Sequence, residues 1–400
     1  RSAMRSNVSN ALVSPRPCIV LAICCWASAR FLRAIRMFFL RPLTLRNPSS
    51  SNSPMSPVGV SPERGFVPAP DPLDRLPQPY EPWDQVILEL PALIEVGSAR
   101  PRIAQLPELD ASGLADGGEL ERAFVILSSF AMAHVWAGET PDFTLPRNIA
   151  VPLVAVANRL GRPPIVQHAT LGLNNWRRVD PNGPLALDNL DTQATFTGTF
   201  DEKWFYLATL GVELAGVPAI AALPNAMEAS LQAGDVELQQ QLERIEAGIR
   251  AMSEALMRMR ERCEPAVFYR RIRPYLAGWP APGVVYSGAS EQPQVWSGGS
   301  AAQSSLLQSV DAALGITHEK ASTRDFLDAM LQYMPPKHRA FVAALRRHST
   351  IRDRALNGDR TCVSSIMPVA PSGVSAKARN ARRASSLTSS NDDAGANSLL

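Results

Sequence analysis

The sequence predicts an all-α fold for the body of this 400-residue chain, and three observations support it. In residues 235–262, leucine, isoleucine and methionine recur at alternating spacings of four and three, which indicates one stripe along a long helix. Residues 201–223 are apolar on nearly every side, which is typical of a buried central helix. Residues 200–360 contain no run of alternating apolar and polar residues long enough to predict a strand.

The other segments of the body are also predicted to be mainly helical. Residues 63–90 are rich in proline and predict an extended arm, with helical patterns beginning near Gln85. Residues 146–186 contain several turn signals, which predict loops with short helices. Asp201 and Glu202 favour a helix start, because carboxylates stabilise the N-terminal end of a helix. The remaining predicted helices span 119–136, 302–315, 324–334 and 337–347.

Composition divides the chain into four regions. Apolar residues make up 46% of the sequence, which excludes a fully disordered chain. We predict a leader at 1–54, a proline-rich arm with a small domain at 55–196, a large helical domain at 197–358 and a disordered tail at 359–400. Two interpretations of the acid-free, arginine-rich leader stay open: sequence upstream of a natural start at Met55, which we favour, or a mitochondrial presequence.

Charge, cysteine and histidine exclude several classes of function. Residues 1–62 hold eight arginines and no carboxylate, so after the basic tail from Thr361 is also set aside, residues 63–360 carry a net charge of −7. An acidic body argues against nucleic-acid binding, because phosphate contacts need a basic surface. Only Cys263 lies in the body, which favours a reducing compartment. The apolar run that ends at Arg30 is too short to span a membrane, and the five histidines are too far apart for local zinc-ligand pairs.

The sequence contains no local catalytic motif of a hydrolase, a nucleotide-binding protein or a metalloprotease. Two charged residues on apolar helical faces need partners, because burying an unpaired charge is costly. Arg273 is interpreted either as part of an internal salt bridge or as a clamp for a substrate carboxylate. Glu213 is interpreted mainly as a core residue with a structural hydrogen bond. The segment 297–301 precedes a helix and is either a flexible connector or a loop that faces an anion.

Five segments, in this order and spacing, carry a resemblance to a known family. They are NNW at 174–176 with DPNGPL at 180–185, WFYLATLGVELAG at 204–216, EPAVFYRRIRPYLAGW at 264–279, GVVYSGASEQPQVWSGGSAAQSSLLQSVDAALGI at 283–316 and FLDAMLQYMPPKHRAF at 326–341. With them the chain resembles the indoleamine 2,3-dioxygenase family, haem enzymes that open the indole ring of tryptophan. The resemblance covers about two thirds of the chain, from about residue 80 to 356.

The resemblance implies a small N-terminal α-rich domain and a large, all-helical haem domain. It implies haem b bound through one axial histidine, with the other axial position free for dioxygen, and a pocket for L-tryptophan or a related indole. The substrate contacts that it implies are Phe205, Tyr206, Thr209, Phe268, Arg273, Gly299, Ser300 and Ala301. Arg273 would pair with the substrate carboxylate, which favours the clamp interpretation. Gly299, Ser300 and Ala301 would form a mobile loop, in which Ser300 and Ala301 also contact the cofactor.

Two departures from the family pattern concern function. His168 and Gly172 stand where family members more often carry tyrosine or another larger residue, which could widen the pocket or change the preferred substrate. No histidine follows His348, whereas the family's axial histidine lies well beyond the PPxHR segment. We interpret the end of this sequence as out of frame or mis-spliced.

We therefore expect a haem-dependent dioxygenase that converts L-tryptophan and dioxygen to N-formylkynurenine in tryptophan catabolism. No protein general base is needed, because the cofactor carries the oxygen chemistry. The alternative is a catalytically inactive or truncated relative with weak or absent haem binding, because the family's axial histidine is missing. We expect a cytoplasmic monomer without nucleic-acid or membrane partners, with mitochondrial targeting by the leader as the alternative location.

Overall fold

Helices dominate the residues that the structure, a computed structural model, describes, which are 60–232 and 235–358. The predicted all-α class is therefore confirmed. The predicted leader at 1–54 and the predicted tail at 359–400 lie outside the described residues.

Four helices follow the proline-rich arm. They are α1 (Glu81–Glu95), α2 (Ala99–Ala104), α3 (Gly118–Trp136) and α4 (Arg147–Leu160). The predicted apolar helix at 119–136 is confirmed by α3, which is buried on almost every side. The prediction of only short helices in 146–186 is wrong at its start, because α4 continues for 14 residues in spite of Pro152 and ends at the left-handed Gly161.

The helix that carries most of the candidate site residues is α5 (Phe200–Ala215). Thr199 caps its N-terminus by accepting a hydrogen bond from the Glu202 N–H at 3.3 Å. The Glu202 carboxylate is fully buried and accepts hydrogen bonds from the backbone N–H groups of Phe196 and Thr197 at 2.7 and 2.6 Å. The predicted acidic start of this helix is confirmed, and the carboxylate fixes α5 to the loop that precedes it.

The predicted helix at 201–223 is divided in two, because α6 (Val217–Leu231) begins directly after α5. The break falls at Gly216, which packs so closely that an added Cβ would lie 2.5 Å from Leu306 Cδ1. The long helix predicted over 235–262 is confirmed by α7 (Asp235–Met257), which packs along α6.

The stretch Phe200–Leu231 is the candidate membrane span among the described residues, by length and composition alone, with a mean hydropathy of 1.6. Its most apolar window is 61% buried inside the protein. That burial agrees with the predicted central core helix.

The C-terminal part of the described chain contains shorter helices. They are α8 (Met259–Arg262), α9 (Pro265–Val267), α10 (Ser305–Ala313), α11 (Ala321–Met330), α12 (Pro336–His348) and α13 (Ile351–Gly358). Single 3₁₀ turns form Ala111–Gly113, Leu187–Asn189, Arg273–Leu276, Ala301–Gln303 and Leu331–Tyr333. Two further segments, Ala169–Leu173 and Phe268–Ile272, are π-helical. The helices predicted at 302–315, 324–334 and 337–347 correspond to α10, α11 and α12 with shifted ends.

Five short strands also occur in the described residues, although the sequence predicts none. They are β1 (Thr144–Leu145), β2 (Trp176–Arg178), β3 (Leu190–Thr192), β4 (Val284–Tyr286) and β5 (Ser290–Gln294). In one sheet β4 pairs in parallel with β1 and antiparallel with β5, and in the other β2 and β3 are antiparallel. The alternation that predicts strands needs a longer run than these strands offer.

Buried side chains form two main clusters in the compact unit that ends at Arg354. The first surrounds α1, α3 and α4 and includes Trp83 and Phe124. The second surrounds α6, α7, α10 and α12 and includes Leu223 and Ile245. The predicted boundary between domains at 55–196 and 197–358 stays a prediction.

Candidate functional site

One face of α5 forms the base of the candidate site. Phe205, Thr209 and Glu213 follow one another at intervals of four, so they lie on the same side of the helix. Phe205 and Thr209 are half-buried, whereas Glu213 is buried. The Thr209 hydroxyl donates to the Phe205 carbonyl oxygen at 2.8 Å. The hydroxyl proton of Thr209 is therefore already engaged in a hydrogen bond within α5.

An aromatic pair joins α5 to the segment that follows α9. The ring centroids of Phe205 and Phe268 are 4.5 Å apart and the ring planes are inclined by 39°. Phe268 begins a π-helical turn, a local irregularity that is frequent at functional sites. The two half-buried rings give the site an apolar wall suited to a planar ligand.

Arg273 lies one turn beyond Phe268 and is exposed rather than packed on an apolar face. Its guanidinium lies 5.0 Å from the centroid of the Tyr269 ring. It forms no ion pair with a carboxylate of the described residues, so the internal salt bridge is not observed in that part of the chain. A cation with no carboxylate partner is available to an anionic group of a ligand.

The glycine loop, which we define as Ser297–Ala301, runs between two other segments. A Cβ at Gly298 would collide with the carbonyl oxygen of Leu276. Leu276 is the last residue of the turn that begins at Arg273. A Cβ at Gly299 would lie 3.7 Å from Val166 Cγ1. The loop thus needs at least one glycine in order to pass this close to the neighbouring backbone.

The end of the glycine loop is fixed by a capping box. The Ser300 side chain accepts a hydrogen bond from the Ala302 N–H at 3.2 Å. The buried Gln303 amide donates to the Gly298 carbonyl oxygen at 2.9 Å, and its oxygen accepts from the Ser300 N–H. Ser300 and Ala301 are half-buried. These hydrogen bonds therefore join the C-terminal end of the loop to the turn that follows it.

A hydrogen-bonded chain links this loop to α5. His168 Nε2 lies 2.8 Å from Glu213 Oε1, and the Ser304 hydroxyl donates to the same oxygen at 2.7 Å. The backbone N–H of His168 donates to the Gln303 side-chain oxygen at 2.9 Å. The interpretation of Glu213 as a hydrogen-bonded core residue is confirmed. The structure adds His168 and Ser304 as its partners.

Gly172 lies between His168 and α5. A Cβ added there would lie 3.3 Å from Thr209 Cγ2 and 3.5 Å from His168 Cε1. These distances make Gly172 a near neighbour of both side chains. The two departures from the family pattern, His168 and Gly172, thus lie next to each other, and Gly172 also lies next to Thr209, a predicted pocket residue.

Tyr206 has a different environment from the other predicted contacts. It is buried, and its hydroxyl donates to Glu202 Oε1 at 2.9 Å. Burial, followed by the charge of Glu202, raises the pKa of the Tyr206 hydroxyl well above its usual range. The structure therefore brings Phe205, Thr209, Phe268 and the glycine loop to one region and places Tyr206 in the core.

Sequence reasoning missed the pairing of His168 with Glu213 and Ser304. The two members of the closest pair are 45 residues apart, so no spacing within one helix relates them. The only signal in the sequence was the apolar surroundings of Glu213, which require a partner without identifying it.

Comparisons with known proteins give one family. A family model described as indoleamine 2,3-dioxygenase matches residues 55–366. Indoleamine 2,3-dioxygenase 2 of Mus musculus is 40% identical over 312 residues, which are 76% of this chain and 76% of that protein. The indoleamine 2,3-dioxygenase of Saccharomyces cerevisiae is 39% identical over 319 residues, 74% of this chain and 70% of that protein. A 6-hydroxytryptophan 2,3-dioxygenase of Fusarium equiseti is 33% identical over 305 residues, 73% of this chain and 74% of that protein.

Proposed function

Because the chain belongs to the indoleamine 2,3-dioxygenase family of haem-dependent oxidoreductases, we propose that its substrate is L-tryptophan. In the proposed reaction both atoms of dioxygen are inserted across the indole C2–C3 bond, which breaks, and the product is N-formylkynurenine. Three observations support the proposal: the contact of Phe205 with Phe268, the absence of a carboxylate partner for Arg273 among the described residues, and the approach of the glycine loop to Leu276, which ends the turn that begins at Arg273.

The chain's own residues bind and orient the substrate. Phe205 and Phe268, which contact each other, together form one apolar wall against which the planar indole packs. Arg273 pairs with the substrate carboxylate, since a guanidinium matches a carboxylate in charge and geometry. The glycine loop covers the bound amino acid and excludes water from it. The family's haem supplies the dioxygen chemistry when it is bound.

The fit of haem to this chain can be tested on the donor atoms that the structure describes. The half-buried aromatic wall suits an apolar planar group. The family also binds the haem iron through an imidazole. All five histidines of the sequence lie in described residues. The rings of His134, His318 and His338 contact Asp142, Asp311 and Ser305, and His348 is exposed at a helix end. His168 alone borders the site, and Glu213 holds its Nε2.

These described residues therefore fit the walls of a haem pocket, and the one imidazole that borders it, His168, is already hydrogen-bonded to Glu213 through Nε2. That observation favours a second candidate function, a catalytically inactive family member with weak or absent haem binding. The two functions differ in one property, the affinity of this polypeptide for haem iron.

Purification of the 400-residue chain after expression with a haem precursor separates the two functions. The dioxygenase is expected to carry a Soret band that shifts with carbon monoxide and to form N-formylkynurenine from L-tryptophan under reducing conditions. A colourless protein without product would contradict the dioxygenase and support the inactive relative.

The Arg273→Ala variant tests the carboxylate contact. Loss of a charged hydrogen bond is expected to raise the KM for L-tryptophan by roughly 10-fold to 100-fold. Arg270→Ala is the matched control, because Arg270 is an exposed arginine of the same segment. Equal KM values for the two variants would refute the assigned role of Arg273.

We further propose that the protein acts as a monomer in the cytoplasm. The single cysteine of the body supports a reducing compartment. Gel filtration and fractionation of cells test the two statements separately.

A further inference from the structure

His168 is held at two points by residues of two other segments. Its backbone N–H donates to the Gln303 side chain at 2.9 Å. Its ring Nε2 lies 2.8 Å from Glu213 Oε1, which also accepts the Ser304 hydroxyl. The His168 side chain is 9% exposed and the Glu213 side chain is 3% exposed. A ring fixed in this way cannot turn to satisfy its second nitrogen elsewhere.

The hydrogen bond to Glu213 determines what the other ring nitrogen can do. An ionised carboxylate only accepts hydrogen bonds, so Nε2 of His168 carries the proton in this contact. In the neutral ring Nδ1 then has a free lone pair and is an acceptor. Nδ1 has no hydrogen-bond partner among the described residues.

The neighbouring polar groups are already engaged. Thr209 donates its hydroxyl to the Phe205 carbonyl oxygen. The Ser300 oxygen caps the turn that follows it. Both ends of the Gln303 amide are used, by Gly298 on one side and by the backbone N–H groups of His168 and Ser300 on the other. In contrast to these groups, His168 Nδ1 has a lone pair that accepts no hydrogen bond from the described residues.

There is space beside the ring because residue 172 is glycine. A Cβ at Gly172 would fall between Thr209 Cγ2 at 3.3 Å and the Cε1–Nε2 edge of the His168 ring, at 3.5 and 3.6 Å. Any larger side chain at 172 would enter the gap between the imidazole and α5. The missing side chain therefore leaves space along one edge of a fixed imidazole, beside Cε1, the carbon that joins Nε2 to Nδ1.

We propose that His168 is a specificity-determining residue that accepts, through Nδ1, the hydrogen bond of the indole N–H of the substrate. The inference rests on the proposed function, because it assumes that an indole occupies this pocket. The N–H is the only hydrogen-bond donor on the indole ring, so one fixed acceptor is sufficient to recognise it. Glu213 and Ser304 are positioning residues, which hold the ring in the tautomer that accepts.

The test compares two ligands that differ in this one group. L-tryptophan and 3-(benzothiophen-3-yl)-L-alanine are similar in shape, but sulfur replaces the N–H in the second. Binding is measured by calorimetry at pH 8 on the full-length protein as purified and without a reductant, so that no turnover occurs. The native protein is expected to bind L-tryptophan about tenfold more tightly than the sulfur analogue, the difference of one hydrogen bond.

Three variants distinguish recognition from a structural role. His168→Phe removes both ring nitrogens and is expected to bind the two ligands with affinities equal to within about twofold. His168→Asn restores an acceptor near the position of Nδ1 and is expected to recover part of the preference. His318→Phe is the matched control, because His318 also pairs with a carboxylate, Asp311 at 3.2 Å, outside this wall. The control is expected to keep the full preference.

A His168→Phe variant that retains the tenfold preference would overturn the inference, and so would an equal loss of preference in His318→Phe. Discrimination that depends on His168 in a protein that forms no N-formylkynurenine would overturn the proposed reaction alone. Native protein that binds neither ligand would overturn both.

Discussion

His338 is a buried imidazole whose surroundings oppose its protonation. Its ring centroid lies 4.6 Å from that of Phe66, and Nδ1 lies 3.1 Å from the Ser305 hydroxyl. Burial, followed by the positive charge of Arg162, lowers the pKa of His338 to about 3. The ring is therefore neutral in the folded protein at any pH near 7.

This pKa predicts a loss of stability in mild acid. The unfolded chain protonates His338 at its ordinary pKa of about 6.5, while the folded chain does so only at about 3. Its contribution to the free energy of unfolding is therefore present above pH 6.5 and is lost as the pH falls towards 3, by up to about 1.4 kcal/mol per pH unit. Denaturant titrations between pH 7 and pH 4 measure this slope.

The His338→Gln variant supplies the comparison. Its free energy of unfolding is expected to depend less steeply on pH over the same interval, because glutamine does not titrate. His348→Gln is the control at an exposed position of the same helix and is expected to keep the native slope. Identical slopes for His338→Gln and the native protein would refute this account.

At the scale of single residues, the sequence identified which charged residues need a partner but did not identify the partner. The apolar neighbours of Glu213 and Arg273 correctly marked both as residues that need an explanation. Glu213 obtained its partners from residues 45 positions before it and 91 after it, and such distances leave no periodic signal. Arg273 has an exposed position because the chain changes from a π-helical to a 3₁₀ turn there, and a regular helical period does not anticipate such a change.

Among the elements, the contact of α6 with α7 depends on one glycine. A Cβ at Gly248 of α7 would lie 2.7 Å from Ala219 Cβ and 2.9 Å from the Ala219 backbone nitrogen. Gly248 is buried, and Ala219 is completely buried. The two helices approach this closely because neither has a larger side chain at the contact.

A leucine at position 248 is therefore expected to force the helices apart. Overpacking of this kind costs about 1 to 3 kcal/mol, and collision with the backbone places Gly248→Leu at the upper end of that range. Ala247→Leu is the matched control, because Ala247 is exposed on the same turn of α7. Urea denaturation measures both variants, and an unchanged midpoint for Gly248→Leu would contradict the close packing.

The helices themselves were predictable wherever a periodic apolar stripe was long. The stripe over 235–262 anticipated α7, and the apolar run over 119–136 anticipated α3. The division at Gly216 has a local signal in Pro218, which lies in the first turn of α6, whereas the close approach of Gly216 to Leu306 has none. The strand β5, with sequence SEQPQ, has no apolar face that could have announced it.

For the molecule as a whole, binding of iron porphyrin decides between the two proposed functions. A ligand that binds only the folded state at 100 times its Kd adds about 2.7 kcal/mol to the stability. For a protein of this size that is expected to raise the Tm by about 3 to 4 °C. Calorimetry with and without haem measures the shift.

Metal-free protoporphyrin IX is the control ligand for that measurement. It offers the same apolar surface and no iron, so the dioxygenase is expected to show a larger shift with haem than with the metal-free ring. Equal shifts would indicate packing without an axial imidazole, in agreement with the inactive relative.

The family resemblance rests on five separate segments, and no motif of local spacing connects them. The five family-like segments lie between residues 174 and 341, and the fold brings parts of three of them to the candidate site. Their order could be read from the sequence, but their convergence on the wall beside His168 required the tertiary structure. The acidic charge of the body, by contrast, was a property of composition alone.

The hydrogen bond from the His168 backbone to Gln303 has a kinetic consequence. Any motion of the glycine loop that displaces Gln303 frees this backbone N–H, whereas Glu213 of α5 continues to hold the imidazole. A fluorescent reporter on the loop and an NMR probe of the His168 amide are consequently expected to relax with one shared time constant, which the imidazole does not follow.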